Sequence, residues 1–159
     1  MKYCNLFLLL IIFGSCNNLA EEKASINSKI IKAEISVKQF PKLDTSRYNV
    51  GFLIMDGTFN TELTAPYDIF QHTIFRKNIK AMNVFTIADT DYSITTFEGM
   101  RILPDYNYLK DSLPAIDILV VPSAEHHLDS DLENTEMIRF IKKTAKNAQF
   151  VTSHCDGAF

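Results

Sequence analysis

Cys155, at a sharp turn, is the residue of this sequence with the clearest chemical potential. It follows a strand-like run in the stretch Ser153-His154-Cys155-Asp156-Gly157. Small residues two places before and two places after it suit a nucleophile elbow, a strained strand-to-helix turn with no room for larger flanking side chains. The turn would lift the thiol above a sheet and aim the first amides of the next helix at it, which stabilises a thiolate. We therefore predict a nucleophilic Cys155, with the Asp156 amide as an oxyanion donor.

The other cysteines, Cys4 and Cys16, lie in an amino-terminal segment that reads as a targeting signal. Its apolar run, 6–13, is too short to cross a bilayer as a helix but suits the core of a signal peptide. Small residues directly before Cys16 resemble a bacterial lipobox, although Phe13 departs from that pattern. We predict a signal peptide over residues 1–15 and lipidation of Cys16. The alternatives are an ordinary secretory signal or an uncleaved anchor.

Two further regions follow the signal. Residues 16–47 are polar and predict a tether, and 48–159 form one domain of ordinary size. The prediction is an exported, membrane-anchored lipoprotein of a bacterial cell envelope, held to the membrane through Cys16. The net charge of -3, without a basic stripe, argues against nucleic acid as a partner. Cys155 then has no intrachain disulfide partner, so it is either a buried bystander or a reactive thiol.

Strand and helix patterns alternate along the domain. Strands are predicted in 48–55, 83–88, 117–122 and 149–153, of which 48–55 and 117–122 are expected to be buried, with two short strands around Glu98-Gly99. This alternation predicts an α/β fold, a flavodoxin-like parallel sheet sandwiched by helices and truncated after the elbow. Sites in such sheets form at the carboxyl ends of strands, here in the loops 56–63, 122–129 and 154–157.

Two helices are predicted between these strands. The first is expected to be capped by Thr64, with Pro66 in its first turn. The apolar faces of the helices serve to cover the sheet. Those faces are predicted to be Tyr67, Phe70 and Ile74 in the first helix, and Met137, Ile138, Ile141 and Ala145 in the second.

Four segments, in order, resemble the ThiJ/PfpI (DJ-one-like) family of the class I glutamine amidotransferase-like superfamily. They are ELTAPYDIF, EGMRILPD, DILVVPSAE and VTSHCDGAF. The last is similar to the family's Cys-x-Gly-Ala-Phe elbow. The resemblance runs from Tyr48 to the end of the sequence. In that family further strands and helices complete the sheet, so the sequence is expected to be a fragment.

The resemblance also implies roles for individual residues. Glu62 matches the acidic partner of the cysteine and would act as a general acid or hydrogen-bond donor. The amides of Ser123 and Ala124 would be oxyanion donors, although the family has Gly-Gly there. Asp156 stands where peptidase-like members carry His, which counts against a peptidase. No cofactor is implied, and a homodimer is expected because relatives commonly dimerise.

The histidines near these motifs raise separate questions. His126, His127 and Asp129, with Glu125, suggest a metal site, but no zinc-type spacing is present and a solvated loop is the simpler interpretation. We predict no metal. His154 is expected to point away from Cys155, as packing or polar cover.

Three functions remain in competition. The first is a cysteine-dependent hydrolase or hydratase-type enzyme on a small electrophilic substrate, with Cys155 as nucleophile and Glu62 as acid/base. The second is a non-catalytic ligand-sensing module of the same fold, and the third is a redox or stress-response protein with an oxidisable thiol. The presence of both Cys155 and Glu62 favours chemistry, whereas the sequence does not define the substrate.

Overall fold

The structure, a computed structural model, describes residues 38–158. Within that range five parallel strands form one sheet and two short antiparallel strands form a hairpin. The strands are β1 (Tyr48–Leu53), β2 (Met82–Ala88), β3 (Ile94–Thr95), β4 (Arg101–Ile102), β5 (Tyr106–Asn107), β6 (Ile118–Val121) and β7 (Phe150–Ser153). The helices are α1 (Asn60–Gln71) and α2 (Thr135–Ala145), with 3-10 turns at His72–Phe75, Ser130–Glu133 and Cys155–Ala158.

The strand order, β5-β2-β1-β6-β7, confirms the predicted flavodoxin-like fold. The chain moves from β1 outward to β2 and β5, then returns to the other side of β1 as β6. Val50 of β1 consequently has Val84 on one side and Ile118 on the other. Ligand sites of open α/β sheets lie where the strand order reverses, beyond the carboxyl ends of the strands. That point lies between β1 and β6.

Strand β1 packs against both layers of helices, since its alternate residues point to opposite sides of the sheet, whereas all four residues of the edge strand β7 are exposed. Val50 and Phe52 pack with Leu63 of α1 in one apolar cluster. Leu53 packs with Phe140 of α2 in another. Continuous apolar strands are typical of a parallel sheet covered by helices on both faces.

The first helix begins earlier than predicted, since its cap comes from a distant residue. The Asn60 amide donates to the Glu98 carboxylate in the turn between β3 and β4, at 3.0 Å. Thr64 does not cap the helix; its hydroxyl donates to the Asn60 carbonyl at 2.7 Å. Pro66 is therefore inside α1 rather than in its first turn. Glu62 consequently lies in the first turn of the helix and not in a loop.

The second helix has the predicted position but a different central contact. The Asn134 side chain caps it by accepting from the Met137 amide at 3.0 Å. Met137 is buried as predicted, and the buried aromatic residue is Phe140, which the sequence pattern left out. Its ring stacks on Tyr108 with centroids 4.7 Å apart, and this contact fixes which face turns inward. Between residues 38 and 158, no helix is long and apolar enough to span a membrane.

Candidate functional site

The loops that follow β1 and β6 are joined at the point where the strand order reverses. Thr58 and Ala124 form an isolated antiparallel bridge. The Phe59 amide donates to the Ser123 carbonyl, and the Glu125 amide donates to the Gly57 carbonyl, both at 3.1 Å. These bonds bring the start of α1 against the end of β6. Two of the three loops predicted to form the site therefore make one surface.

The third loop carries Cys155 in a strained backbone conformation. Its φ of 46° lies in the left-handed region, which costs a residue with a Cβ on the order of 1–3 kcal/mol. The turn is held by its neighbours, since the His154 amide donates to the Val121 carbonyl at 3.1 Å and the Gly157 amide donates to the His154 carbonyl at 2.9 Å. The thiol is exposed and in no disulfide. This geometry is that of a strand-to-turn elbow presenting a thiol.

Gly157 explains why a small residue is needed two places after the cysteine. A Cβ at this position would lie 2.4 Å from the Val121 carbonyl oxygen and 3.1 Å from that of Pro122. The turn thus packs directly on the backbone at the end of β6. Only glycine permits this approach.

Glu62 points toward the end of β6. The Ser123 amide donates to its Oε2 atom at 3.4 Å, a long contact, and the Glu62 side chain is 21% exposed. A carboxylate held beside two strand ends can accept or return a proton. The role of Glu62 as the acidic partner of Cys155 stays a prediction.

His154 takes part in the same cluster, which the sequence analysis did not foresee. Its Nδ1 atom lies 3.6 Å from Glu62 Oε2, and its side chain is 54% exposed. The ring is therefore not packing. It contacts the acid predicted to serve the cysteine. The position directly before the elbow was the available signal, but the direction of the side chain depends on the twist of β7 at its end.

The predicted oxyanion donors occupy three different settings. The Ser123 amide already donates to Glu62, so a substrate oxyanion would share or replace that contact. Ala124 is buried in the bridge with Thr58. The Asp156 side chain lies beside the thiol, with Oδ1 3.8 Å from Cys155 Sγ. Their roles as oxyanion donors stay predictions.

The Ser123 hydroxyl is a buried polar group that sequence reasoning did not weigh as such. Its side chain is fully buried, and the Oγ atom has no hydrogen-bond partner in the described part of the chain. An unpaired buried hydroxyl costs free energy, typically on the order of 1–3 kcal/mol. Such a cost concentrates at functional sites more than in a plain core.

His127 is buried, which corrects the expectation of a solvated loop. Its side chain is 5% exposed, and Nε2 lies 3.1 Å from Met55 Sδ and 3.7 Å from Asp131 Oδ2. Burial lowers the pKa of His127, and the nearby charges of Asp131, Asp156 and Glu62 oppose this without cancelling it. The loop after β6 folds back on the 3-10 turn, so this ring packs beneath the elbow as a neutral group.

His126, the neighbouring histidine, is exposed to solvent, as predicted for this loop. Its ring is 52% exposed and its Nδ1 lies 3.4 Å from the Asp129 carboxylate. Over residues 38–158 no group of three or more His, Cys, Asp or Glu side chains is arranged to hold a metal ion. Cys16, the predicted lipidation site, and the signal peptide lie outside the described residues.

Comparison with known proteins decides the family. Residues 48–159 match the DJ-1/PfpI family over most of the chain. The chain belongs to the DJ-1/PfpI family. The boundary at Tyr48 coincides with the start of β1, where the sequence analysis places the start of the domain.

Relatives within and around the DJ-1/PfpI family differ in their described functions. An isonitrile hydratase from Pseudomonas putida is 24% identical over 109 residues, which cover 69% of this chain and 44% of the relative. A ThiJ/PfpI family protein from Pseudomonas syringae has a TM-score of 0.56 at 16% identity, covering 78% of this chain and 52% of that one. An AraC family transcriptional regulator from Pseudomonas putida has a TM-score of 0.53 at 14% identity, covering 70% and 66%. The chain spans about half the length of the first two relatives.

Proposed function

We propose that this chain belongs to a cysteine-dependent enzyme that adds water to a small electrophilic carbon compound. The observation that supports it is the conformation of Cys155, an exposed thiol held at a φ of 46° beyond the carboxyl end of β7. Strained backbone at an exposed nucleophile is typical of a site where geometry serves chemistry. Buried bystander thiols have no need of it.

The reaction begins with addition of the thiolate. Cys155 Sγ forms a bond to the electrophilic carbon, and the electron pair of the broken π bond moves within the substrate. A proton carried by Glu62 completes the addition. Water then adds to the same carbon, the carbon–sulfur bond breaks, and the thiolate returns. The net change is the addition of one water molecule, without oxidation or reduction.

Isonitriles are the first substrates to try. The isonitrile hydratase relative is similar over 109 residues at 24% identity, which supports a hydratase-type reaction without defining the substrate. With an isonitrile, sulfur and a proton would add to the terminal carbon to give a thioimidate. Water and loss of the thiol would then yield an N-substituted formamide.

The experiment uses the full chain with cyclohexyl isocyanide, followed by NMR for N-cyclohexylformamide. Wild-type protein is expected to form the formamide catalytically, and Cys155→Ala is expected to form none. Cys155→Ser is the conservative comparison, because an alcohol is a far weaker nucleophile than a thiolate at neutral pH. Formamide production that survives Cys155→Ala would refute the covalent mechanism.

A redox role is the second candidate, and the exposure of the free thiol favours it. In that case hydrogen peroxide would convert Cys155 to a sulfenic acid that a thiol reductant reverses. Stoichiometric, reversible oxidation, with no turnover of isonitriles or related electrophiles, would support this role over hydration. Membrane anchoring through Cys16 is a separate proposal, tested by the intact mass of the mature protein.

A further inference from the structure

The ring of His154, the residue directly before the predicted nucleophile, forms a pair with the carboxylate of Glu62. We propose that His154 is a positioning residue that shares one proton with Glu62, and that this pair sets whether Glu62 faces Cys155 as an acid or as a carboxylate. The inference rests on the proposed function, since it concerns how that site handles protons. It adds a residue that the sequence analysis expected to serve only as packing or polar cover.

The geometry of the pair centres on one oxygen atom. Glu62 Oε2 lies 3.6 Å from His154 Nδ1 and 3.4 Å from the Ser123 amide nitrogen. The backbone of His154 is fixed by its bond to the Val121 carbonyl. Its ring is half exposed, and a small shift of Nδ1 toward the carboxylate would bring the two into hydrogen-bond range. The Ser123 amide holds the oxygen in place while the ring moves.

With one proton, this pair can exist in two forms. In the first, an imidazolium Nδ1–H donates to the Glu62 carboxylate. In the second, a protonated Glu62 donates to the Nδ1 lone pair of a neutral His154. The Ser123 amide stabilises the carboxylate and therefore the first form. The shared proton is the one that the Cys155 thiol loses: a Glu62 carboxylate beside a neutral His154 accepts it, and the pair then returns it to the substrate.

The other titratable groups near the pair include Asp156, His127 and Asp131, whose Oδ2 lies 3.7 Å from His127 Nε2. Asp156 follows the cysteine, and its carboxylate lies 3.8 Å from Sγ. His127 lies beneath the elbow, within electrostatic reach of both Glu62 and Asp156, and burial keeps it neutral. The exposed ring of His154 has water to solvate its charge, whereas the buried ring does not. Of these two histidines, His154 is therefore the one suited to carry the exchanging proton.

A stabilising surface ion pair is the competing explanation. The ring is more than half exposed, and exposed ion pairs contribute little to stability. Removal of His154 would then change neither the reactivity of the thiol nor its pH profile. The two explanations therefore differ in their consequences for Cys155.

The test is the alkylation of Cys155 by iodoacetamide in the full chain, which needs no substrate. The rate is followed at Cys155 by peptide mass spectrometry, because the sequence has two further cysteines, Cys4 and Cys16. Rates are measured against pH for wild type, His154→Gln, Glu62→Gln and the double variant. His126→Gln is the matched control, since His126 is 52% exposed and pairs with Asp129 away from the elbow.

We expect His154→Gln to lower the rate near neutral pH by about tenfold and to remove one titration step from the pH profile. In the Glu62→Gln background the same change should have almost no effect, because partners in one network are not additive. Free imidazole should restore the rate of His154→Ala, since the ring position is open to solvent. His126→Gln should match wild type.

Additive effects of His154→Gln and Glu62→Gln, or a His154→Gln profile identical to that of His126→Gln, would overturn the proposal. Failure of the proposed function is distinguishable from this. If the effects of His154→Gln and Glu62→Gln on the alkylation rate are non-additive but no isonitrile is hydrated, the proton-sharing pair is supported and the hydratase function is refuted. If isonitriles are hydrated while the effects of the two substitutions on the alkylation rate are additive, the hydratase function is supported and His154 has no part in it.

Discussion

The carboxylate of Glu98 caps helix α1 through the amide of Asn60, 38 residues earlier in the chain. The hairpin of β3 and β4 thus fixes the first turn of the helix that carries Glu62. A capping residue usually belongs to the same segment as its helix. Here the position of the predicted acid depends on a turn elsewhere in the fold.

Glu98→Ala is expected to lower the free energy of unfolding by about 0.5–2 kcal/mol, the usual value of a helix cap. The first turn of α1 should fray and Glu62 should lose its fixed position. Urea unfolding measures the first effect, and Cys155 alkylation measures the second. Glu133→Ala, at another exposed carboxylate, is the control and should change neither. Equal effects of both substitutions would contradict the capping role.

Gly157→Ala should destabilise the elbow by about 1–3 kcal/mol, the usual range for overpacking. The new Cβ would meet the Val121 carbonyl oxygen at 2.4 Å, and the backbone would have to move. Cys155 would lose its strained position, so its alkylation rate should change as well. Gly99→Ala is the comparison, because its Cβ meets no atom within 4 Å although φ is 90°. That variant should lose stability locally and leave the thiol unaffected.

Ser123→Ala should raise the free energy of unfolding by about 1 kcal/mol, because it removes a buried hydroxyl that has no partner among the described residues. Thr58→Val is the matched control, since the Thr58 hydroxyl is bonded to the amide and carbonyl of Met55 at 3.1 and 2.8 Å. That substitution should destabilise by about 1–3 kcal/mol. Chemical denaturation compares the two. A loss of stability in Ser123→Ala would mean that the hydroxyl is satisfied.

The stability of the domain should decrease on mild acidification because of His127. Burial lowers the pKa of this ring below its usual 6.5, so the unfolded chain binds a proton that the folded chain does not. The contribution is complete above about pH 6.5 and is lost as the pH falls toward the folded pKa, with a slope of at most about 1.4 kcal/mol per pH unit. Unfolding free energies measured across this window should show the slope.

Two variants separate this effect from other titrations. His127→Gln should remove the slope in the mildly acidic window, whereas His126→Gln should keep it, since His126 is half exposed. Asp129, whose pKa is lowered by hydrogen bonds from Ser130, acts only at more acidic pH, below its usual 3.8. A slope unchanged by His127→Gln would show that another group is responsible.

Much of the fold is readable from the sequence because its parallel strands are continuous apolar runs. Strands β1, β6 and β7 lie in the predicted segments, β2 begins one residue before its segment at Met82, and the hairpin surrounds Glu98-Gly99 as expected. The turn at Cys155 could also be predicted from the sequence. The small residues on either side of it are required by the local backbone conformation. These features depend on periodicity and on close neighbours in the chain.

Features that depend on contacts between distant residues could not be predicted from the sequence. The start of α1 depends on Glu98, and the burial of His127 depends on the position of Met55. The two-residue strand β5 exists through its pairing with the end of β2 and has no pattern of its own. The contact between His154 and Glu62 joins an element at each end of the domain. Each of these follows from tertiary packing, which single-residue patterns do not encode.

The assembly of the site from separate strand ends has a consequence for folding kinetics. Glu62 and Ser123 are 61 residues apart in sequence, and His154 is more distant still. Contacts between such distant segments close large loops and form slowly. The central pairing of the sheet closes a loop of similar size, since Val50 of β1 pairs with Ile118 of β6. During refolding, we therefore expect the thiol to acquire its native reactivity no earlier than this pairing forms. Pulse alkylation of Cys155 would then report when the end of β6, on which the elbow packs, has reached its place in the sheet.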